Sequence, residues 1–126
     1  MAETRTFNQP IAITGRLTQG GGVVRSNPTL YPLDGALTIL PGLAKITKAT
    51  AAAMTLAAPT AAQEGIVMTI YNDTAAAHTV TAAGGLGGGG AASDVATWSA
   101  TIKGSLTVMA VNLHWTVLGS SNVTIA

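Results

Sequence analysis

The residues able to perform acid–base or metal chemistry are few and widely spaced. The chain contains two histidines, His78 and His114, each in a Thr-rich segment next to apolar residues. The carboxylates available to join them are Asp34, Glu64, Asp73 and Asp94. No local spacing brings a set of ligands together, although distant ligands can converge in a fold. We interpret both histidines as strand residues hydrogen-bonded at a surface or a subunit contact, and we expect no metal and no cofactor.

Nucleophilic catalysis of the Ser–His–carboxylate type has equally little support. No serine lies in a G-x-S-x-G turn, the segment that exposes the nucleophile in one large class of hydrolases. The segment Gly119-Ser120-Ser121-Asn122 predicts a tight turn between two strands instead. We therefore expect a protein that is not an enzyme and has no small-molecule substrate.

A glycine-rich run over residues 84–90 invites comparison with a phosphate-binding loop. Such a loop requires Gly-Lys-Ser or Gly-Lys-Thr at the start of a helix, where the lysine offsets the phosphate charge. Here Ala91-Ala92-Ser93-Asp94 follows, without a cation. The run predicts a flexible loop at one end of a β-sandwich, either exposed or placed where a neighbouring chain approaches closely.

The composition favours a protein that assembles. The chain has 126 residues, enough for one domain. Charged residues make up 9% and the net charge is +1, whereas an ordinary domain has roughly 25% charged residues. Much of the apolar content is alanine, which buries little area per side chain, so contact with other chains would add stability that a monomer lacks. The alternative is a monomer covered by uncharged Thr and Ser side chains.

The same composition disfavours several partners and locations. Six lysines and arginines spread over the chain form no basic stripe, so we expect no nucleic acid. No apolar run approaches the ~20 residues of a membrane span, so we expect no membrane contact. Residues 1–5 lack the apolar segment of a secretion signal. The absence of cysteine excludes disulfides and fits synthesis in a reducing cytoplasm.

The elements that would position any site fall into two parts, divided near residue 35. Residues 1–34 contain three prolines, the Gly20-Gly21-Gly22 run and all three arginines. Prolines remove donors from a strand ladder and glycines resist ordering. We therefore predict an extended N-terminal arm over residues 1–34, ordered by whatever it lies against; the alternative is a disordered tail without a role. Residues 35–126 are predicted to form a compact β domain.

Alternating apolar and polar residues predict short strands throughout this domain. The clearest covers residues 66–71, in which Ile66, Met68 and Ile70 share one face. The other predicted strands cover residues 36–40, 44–48, 54–56, 78–81, 96–102, 105–111, 114–118 and 122–125. Residues 48–54 compete as a helical turn because they are rich in alanine. The predicted fold class is all-β: a small antiparallel β-sandwich or barrel, tulip-like or jelly-roll-like, with an extended N-terminal arm and little helix.

Four large side chains are candidates for core anchors or subunit contacts. The chain has only two tryptophans, two tyrosines and one phenylalanine, so each aromatic contributes a large share of the buried area. Trp98 and Trp115 are the leading candidates. Met68 and Tyr71, in the clearest predicted strand, complete the set.

Several segments between Met54 and Trp115 have an order and spacing similar to those of a known class of β domain. They are residues 54–59, 65–72, 78–81, 104–111 and 114–117, the last of which carries the tryptophan. This arrangement of segments resembles a small Thr/Gly-rich β domain of tailed-phage virion proteins. Among these proteins, it resembles the capsid decoration (cement) proteins. The resemblance covers roughly residues 36–126, and it extends to the C-terminal domains of phage fibres.

The resemblance implies a non-enzymatic virion protein, made in the host cytoplasm, that decorates the outer surface of an expanded capsid. It implies a homo-oligomer, a trimer as in that family, bound to the major capsid protein. The arm would contact the capsid or a neighbouring subunit through Arg5, Phe7, Ile11, Ile13, Arg16, Val23, Val24 and Arg25. The alternative function is the receptor- or glycan-binding tip of a phage tail or head fibre, built on an exposed aromatic groove with Trp98 or Trp115.

Overall fold

The chain folds into β-strands joined by short turns. A computed structural model describes residues 27–87 and 93–126, which contain ten strands, one 3₁₀ turn (Ala61–Gln63) and no α-helix. The strands are β1 (Thr29–Tyr31), β2 (Gly35–Ala36), β3 (Gly42–Ile46), β4 (Ala53–Leu56), β5 (Val67–Asn72), β6 (Thr79–Ala83), β7 (Ser93–Trp98), β8 (Ser105–Val111), β9 (His114–Ser121) and β10 (Val123–Ile125). The all-β prediction is confirmed.

The strands form a sandwich of two five-stranded sheets, neither of which closes into a barrel. Sheet I has the strand order β1-β3-β5-β8-β9, and sheet II has the order β10-β7-β6-β4-β2. The two inner faces share one core, which excludes large side chains from solvent on both sides. This is the sandwich that the sequence predicts.

The first six strands alternate between the two sheets and form three successive coils. The first coil is β1 with β2, the second is β3 with β4, and the third is β5 with β6. Strands of successive coils pair in parallel, as in β1–β3–β5 and β2–β4–β6. The remaining pairs are antiparallel. They add β8 and β9 beside β5 in sheet I, and β7 and β10 beside β6 in sheet II.

Both sheets mix parallel and antiparallel pairs, which differs from the expected antiparallel arrangement. Strands of parallel sheets usually read as continuous apolar runs because both faces of such sheets are covered. Here only the inner face of each sheet is covered, so β4 alternates exposed and buried residues although both of its neighbours are parallel. Alternation of exposed and buried residues therefore indicates that one face of a strand is buried, and it does not indicate the direction of the neighbouring strands.

The core is built from alternate residues of the strands. In β5 and β8, Met68 pairs with Val108 and Ile70 pairs with Leu106, and all four side chains are buried. Burying a side chain of this size stabilises the fold by about 1.5–3 kcal/mol. The largest fully buried side chains of the described residues include Trp98, Trp115, Ile46, Met54, Leu56, His78 and Val80.

Four segments differ from the sequence-based expectation. Of the predicted strand 36–40, only Ala36 lies in a strand, the two-residue β2, and the predicted strand 96–102 ends at Trp98 in β7. The alanine-rich segment 48–54 leads into β4 without a helical turn. Residues 119–121 continue β9, and the turn is limited to Asn122, whose φ is 56°. Small polar residues read as a turn locally, but the ladder to β8 keeps them extended.

Candidate functional site

The side of the sandwich formed by the first coil leaves one edge of each sheet uncovered. We call this region, residues 27–43, the open end. β1 and β2 are the outermost strands here, and no described strand pairs with their outer sides. The carbonyl of Tyr31 accepts the N–H of Thr47 on the β3 side, so the neighbouring Leu30 directs its backbone N–H and C=O away from the sheet. An edge of this kind is a template for an added strand.

Exposed leucines concentrate at the open end. Four of them lie within fourteen positions of the sequence: Leu30 is 58% exposed, Leu33 72%, Leu40 51% and Leu43 40%. Single exposed leucines are ordinary in monomeric proteins, whereas a cluster indicates an interaction surface. This cluster coincides with the uncovered edge of sheet I.

A cleft of about 180 Å³ opens beside β1. Its lining residues are Asn27, Thr29, Tyr31, Thr38, Leu40, Pro41, Leu43, Ala44 and Met68. β1 begins opposite Ala44, so it leaves the first residues of β3 without a partner on that side. The short first strand therefore leaves one side of the cleft open.

Side-chain hydrogen bonds fix the shape of the open end. The Tyr31 hydroxyl accepts the N–H of Thr38 at 2.9 Å, which ties β1 to the segment after β2. Asp34 accepts hydrogen bonds from the Lys48 ammonium at 2.8 Å and from the N–H of Ala53 at 3.1 Å. These two hydrogen bonds hold the pKa of Asp34 below its usual value. The first coil is therefore tied to the second by specific polar contacts.

The outer faces of both sheets are almost free of charge. On sheet II, two register rows face outward: Ala53-Thr79-Thr97-Thr124 and Ala36-Thr55-Thr81-Val95. On sheet I the only charged residue facing outward within the described strands is Lys45, whose ammonium lies 3.4 Å from the Asp73 carboxylate. The scarcity of charge seen in the composition thus extends over two whole faces.

The carboxylates at positions 64, 73 and 94 contact neighbouring residues. Asp73 pairs with Lys45 and Lys103, and Asp94 accepts the N–H of Leu86 at 2.7 Å. Glu64 accepts the N–H of Asn112 through both carboxylate oxygens. The described residues contain no group of three or more His, Asp or Glu side chains placed to hold a metal ion.

The two histidines lie apart and have separate structural contacts. His78 is fully buried, and its Nδ1 accepts the N–H of Ala52 at 2.9 Å. His114 is half-buried, with its Nδ1 3.1 Å from the carbonyl oxygen of Gly84. Neither was predicted to lie in the core, and the fully buried position of His78 becomes apparent only from the way the loops fold over it.

The buried polar atoms are satisfied throughout the described part of the chain. Every buried side-chain nitrogen or oxygen there has a hydrogen-bond partner. Asn72 shows how: its side-chain oxygen accepts the N–H of Thr74, and its amide donates to the carbonyl oxygen of Ala76. These contacts of Asn72 hold the loop after β5 in place.

The candidate anchors divide between the core and the surface. Trp98, Trp115 and Met68 are buried, whereas Tyr71 is half-buried on the outer face of sheet I. The indole N–H of Trp98 donates to Gly104, and that of Trp115 donates to Ala57. Because both indoles are enclosed, neither can form the exposed aromatic groove expected of a glycan-binding tip.

The glycine-rich run begins as packed structure. Gly84 and Gly85 adopt φ values of 81° and 85°. The next residue, Leu86, is only 2% exposed. Gly87 forms an isolated antiparallel bridge with Thr116 at the edge of β9. The start of the run is therefore docked against the sandwich, and residues 88–92 lie outside the described residues.

The predicted arm contacts, by contrast, lie outside the described part of the chain. They are Arg5, Phe7, Ile11, Ile13, Arg16, Val23, Val24 and Arg25. The last part of the predicted arm is described, and it contains β1, which pairs in parallel with β3. The domain thus begins a few residues before the predicted boundary at 35.

Comparison with known proteins gave no match: no family model and no curated protein matched the sequence. Within the described ranges, no helix is long and apolar enough to cross a membrane.

Proposed function

We propose that this protein is a non-enzymatic structural protein of a phage virion, one that binds the outer surface of an expanded capsid as an oligomer and stabilises it. The major capsid protein is its partner, and the oligomer is a trimer. The observation that carries the proposal is the open end, where an uncovered strand edge, four exposed leucines and a cleft occur together.

The two outer faces support this proposal. Both are nearly uncharged and present rows of Thr, Ala and other small side chains. Charged residues are depleted where proteins bury surface against one another, and soluble monomers rely on charge to remain apart. A protein that stays bound to a shell and to its own copies does not need surface charge to remain a separate monomer.

The chemistry of the described residues also supports a structural role. The carboxylates at positions 34, 64, 73 and 94 already accept hydrogen bonds or pair with lysines. The buried histidine is part of a satisfied network. These groups contribute to holding the sandwich together, and any contribution to a particle comes from surface contact.

Capsid stabilisation would follow from mass action. A protein that binds the assembled shell and not its separated subunits shifts the equilibrium toward the shell. Binding across the boundary between neighbouring capsomers would link them without covalent chemistry. The strength of the effect depends on how much apolar surface each copy buries, at about 25 cal/mol per Å².

A sedimentation experiment with undecorated expanded phage heads tests the proposal. We expect the purified protein to co-sediment with expanded heads, to saturate at a fixed number of copies per head, and to raise the temperature at which the heads open. Unexpanded precursor heads are the control, because their surface differs. Failure to co-sediment at concentrations where the oligomer is present would overturn the proposal.

A further inference from the structure

We propose that the cleft at the open end of one copy receives the N-terminal arm of a second copy, with residues 11–14 adding a strand beside β1. This inference rests on the oligomer of the proposed function and names the contact that builds it. Its starting point is the cleft itself, which lies next to an unpaired strand edge.

The cleft has the dimensions of a side-chain pocket. Its volume is about 180 Å³, whereas small-molecule sites occupy roughly 300–1,000 Å³. It adjoins Leu30, whose backbone groups point away from the sheet. A strand added at an edge gains its affinity from main-chain hydrogen bonds and its specificity from pockets that take alternate side chains. The open end offers both features.

The segment Ile11-Ala12-Ile13-Thr14 has the pattern that such a site selects. Ile11 and Ile13 are two positions apart, so they project to the same side of an extended strand. If Ala12 lies beside Leu30, the two isoleucines lie beside Thr29 and Tyr31, both of which line the cleft. The register therefore directs the apolar side chains into the cleft.

The position and charge of the arm also favour this occupant. Residues 1–26 precede Asn27, which lines the cleft, so each copy carries its arm beside its own cleft and next to any copy bound there. Within the arm, residues 1–26 carry three arginines and one glutamate, whereas residues 27–126 carry three lysines and four carboxylates. Opposite net charges favour contact between the arm and the body.

The oligomer of the proposed function makes a second copy the source of the arm. Proline fixes its own φ and restricts the residue before it to extended backbone. The chain is therefore extended at Asn27 and Pro28, where it enters β1. A contact in which each arm reaches the next copy is head-to-tail, and such contacts generate a ring when the rotation closes. A ring of three copies is the trimer of the proposed function.

Engineered cysteines test the contact directly, because the chain has no cysteine of its own. One full-length variant carries Ala12→Cys and a second, enlarged by a tag, carries Leu30→Cys. Neighbouring strands lie about 4.8 Å apart, within the Cα separation of roughly 4.4–6.8 Å that a disulfide accepts. We expect the mixed variants to form a covalent heterodimer under mild oxidation.

The control replaces the second variant with Leu113→Cys, which is exposed in the turn between β8 and β9. It should give at most a small fraction of the heterodimer. The decisive comparison is a single chain carrying both Ala12→Cys and Leu30→Cys. Covalent oligomers from that chain support the proposal, whereas a cross-linked monomer would show that each arm folds onto its own body. No cross-link in either experiment also overturns it.

A second pair of variants keeps the test independent of cysteine chemistry. Leu40→Lys places a charge at the cleft, and Leu113→Lys changes a leucine of the same 51% exposure far along the chain. We expect Leu40→Lys to raise the dissociation constant of the oligomer at least tenfold and Leu113→Lys to leave it within twofold. Equal effects of the two variants would contradict the proposal.

The outcomes separate this inference from the proposed function. If the arm exchange is wrong but the protein decorates capsids, Leu40→Lys will keep its oligomeric state and the unmodified chain will still bind expanded heads. If the proposed function is wrong but the exchange is right, the heterodimer will form and no head will be bound.

Discussion

The Nδ1 atom of His78 accepts a hydrogen bond from the N–H of Ala52 at 2.9 Å, and this contact fixes the histidine as neutral. The Thr74 hydroxyl has a single hydrogen, which it donates to the carbonyl oxygen of Lys48 at 2.6 Å. It must therefore accept from Nε2 of His78, 2.8 Å away. The imidazole thus joins the loops before β4 and β6 only in the form protonated at Nε2 alone.

This geometry predicts that the fold weakens in mild acid. Burial lowers the pKa of His78, and the positive charge of Lys48 lowers it further. The unfolded chain therefore takes up the proton more readily than the folded chain. The stability contributed by the neutral imidazole is complete above about pH 6.5, the ordinary value for histidine, and is lost as the pH falls through the lower value of the folded state. Urea unfolding between pH 8 and pH 4.5 measures the slope.

His78→Gln is the matched variant for the acid experiment. Its amide can accept from Ala52 and donate to Thr74, but it does not titrate. We expect a lower free energy of unfolding at pH 8 and a flatter dependence below pH 6.5. A slope identical to that of the natural chain would show that other groups cause the acid sensitivity.

Gly104→Ala should strongly destabilise the fold. A Cβ at this position would collide with the carbonyl oxygen of Ser121 and lie 3.0 Å from Cβ of Asn122. The start of β8 and the turn after β9 would have to separate, and such overpacking costs about 1–3 kcal/mol or more. Chemical denaturation measures the loss.

Gly119→Ala is the control for that substitution. A Cβ at Gly119 meets nothing within 4 Å, and alanine in a strand is favoured over glycine by about 0.5–1 kcal/mol. Gly119→Ala should therefore be neutral or slightly stabilising. A similar loss in both variants would mean that the tight approach at Gly104 has no energetic consequence.

Trp98→Ala should cost about 3–5 kcal/mol of unfolding free energy, because it removes a fully buried indole. The half-buried Tyr71, on the outer face of sheet I, is the comparison. Tyr71→Ala should cost roughly half as much or less, since it vacates less of the core. If the Tyr71 variant lost as much stability as the Trp98 variant in dilute protein, our division between core and surface anchors would be wrong.

Leu113→Gly should stabilise the chain. Asn112 and Leu113 form the two-residue turn between β8 and β9 and adopt φ values of 51° and 65°. Glycine accepts that backbone without the strain of about 1–2 kcal/mol that an ordinary residue bears. We expect a gain of about 0.5–1 kcal/mol after the entropy cost of glycine. A net loss, as expected for the control Leu118→Gly in β9, would contradict the turn assignment.

The sequence predicts the strands well wherever packing on one face dominates. Residues 105–111 are predicted as a strand and form β8 with the same bounds, because alternate residues there are buried. The sequence does not predict the direction in which the strands pair. Parallel coils join β3 to β5 and β4 to β6, strands more than twenty positions apart, and local alternation carries no record of those partners.

The open end could be predicted only in part. The Pro- and Gly-rich composition before residue 35 predicts an extended arm, but β1 lies within that segment, where it pairs with β3. The cleft depends on where β1 begins along β3. This is a relation between two strands, and no local sequence pattern expresses it.

The central claim is that this chain works by contact with its own copies and with a larger particle. The mass of the full-length protein in solution, measured by sedimentation over a range of micromolar concentrations, tests it most directly. We predict a species of three times the 12.5 kDa chain mass, which dissociates on dilution and is weakened by Leu40→Lys. A particle of single-chain mass at every concentration would contradict the account.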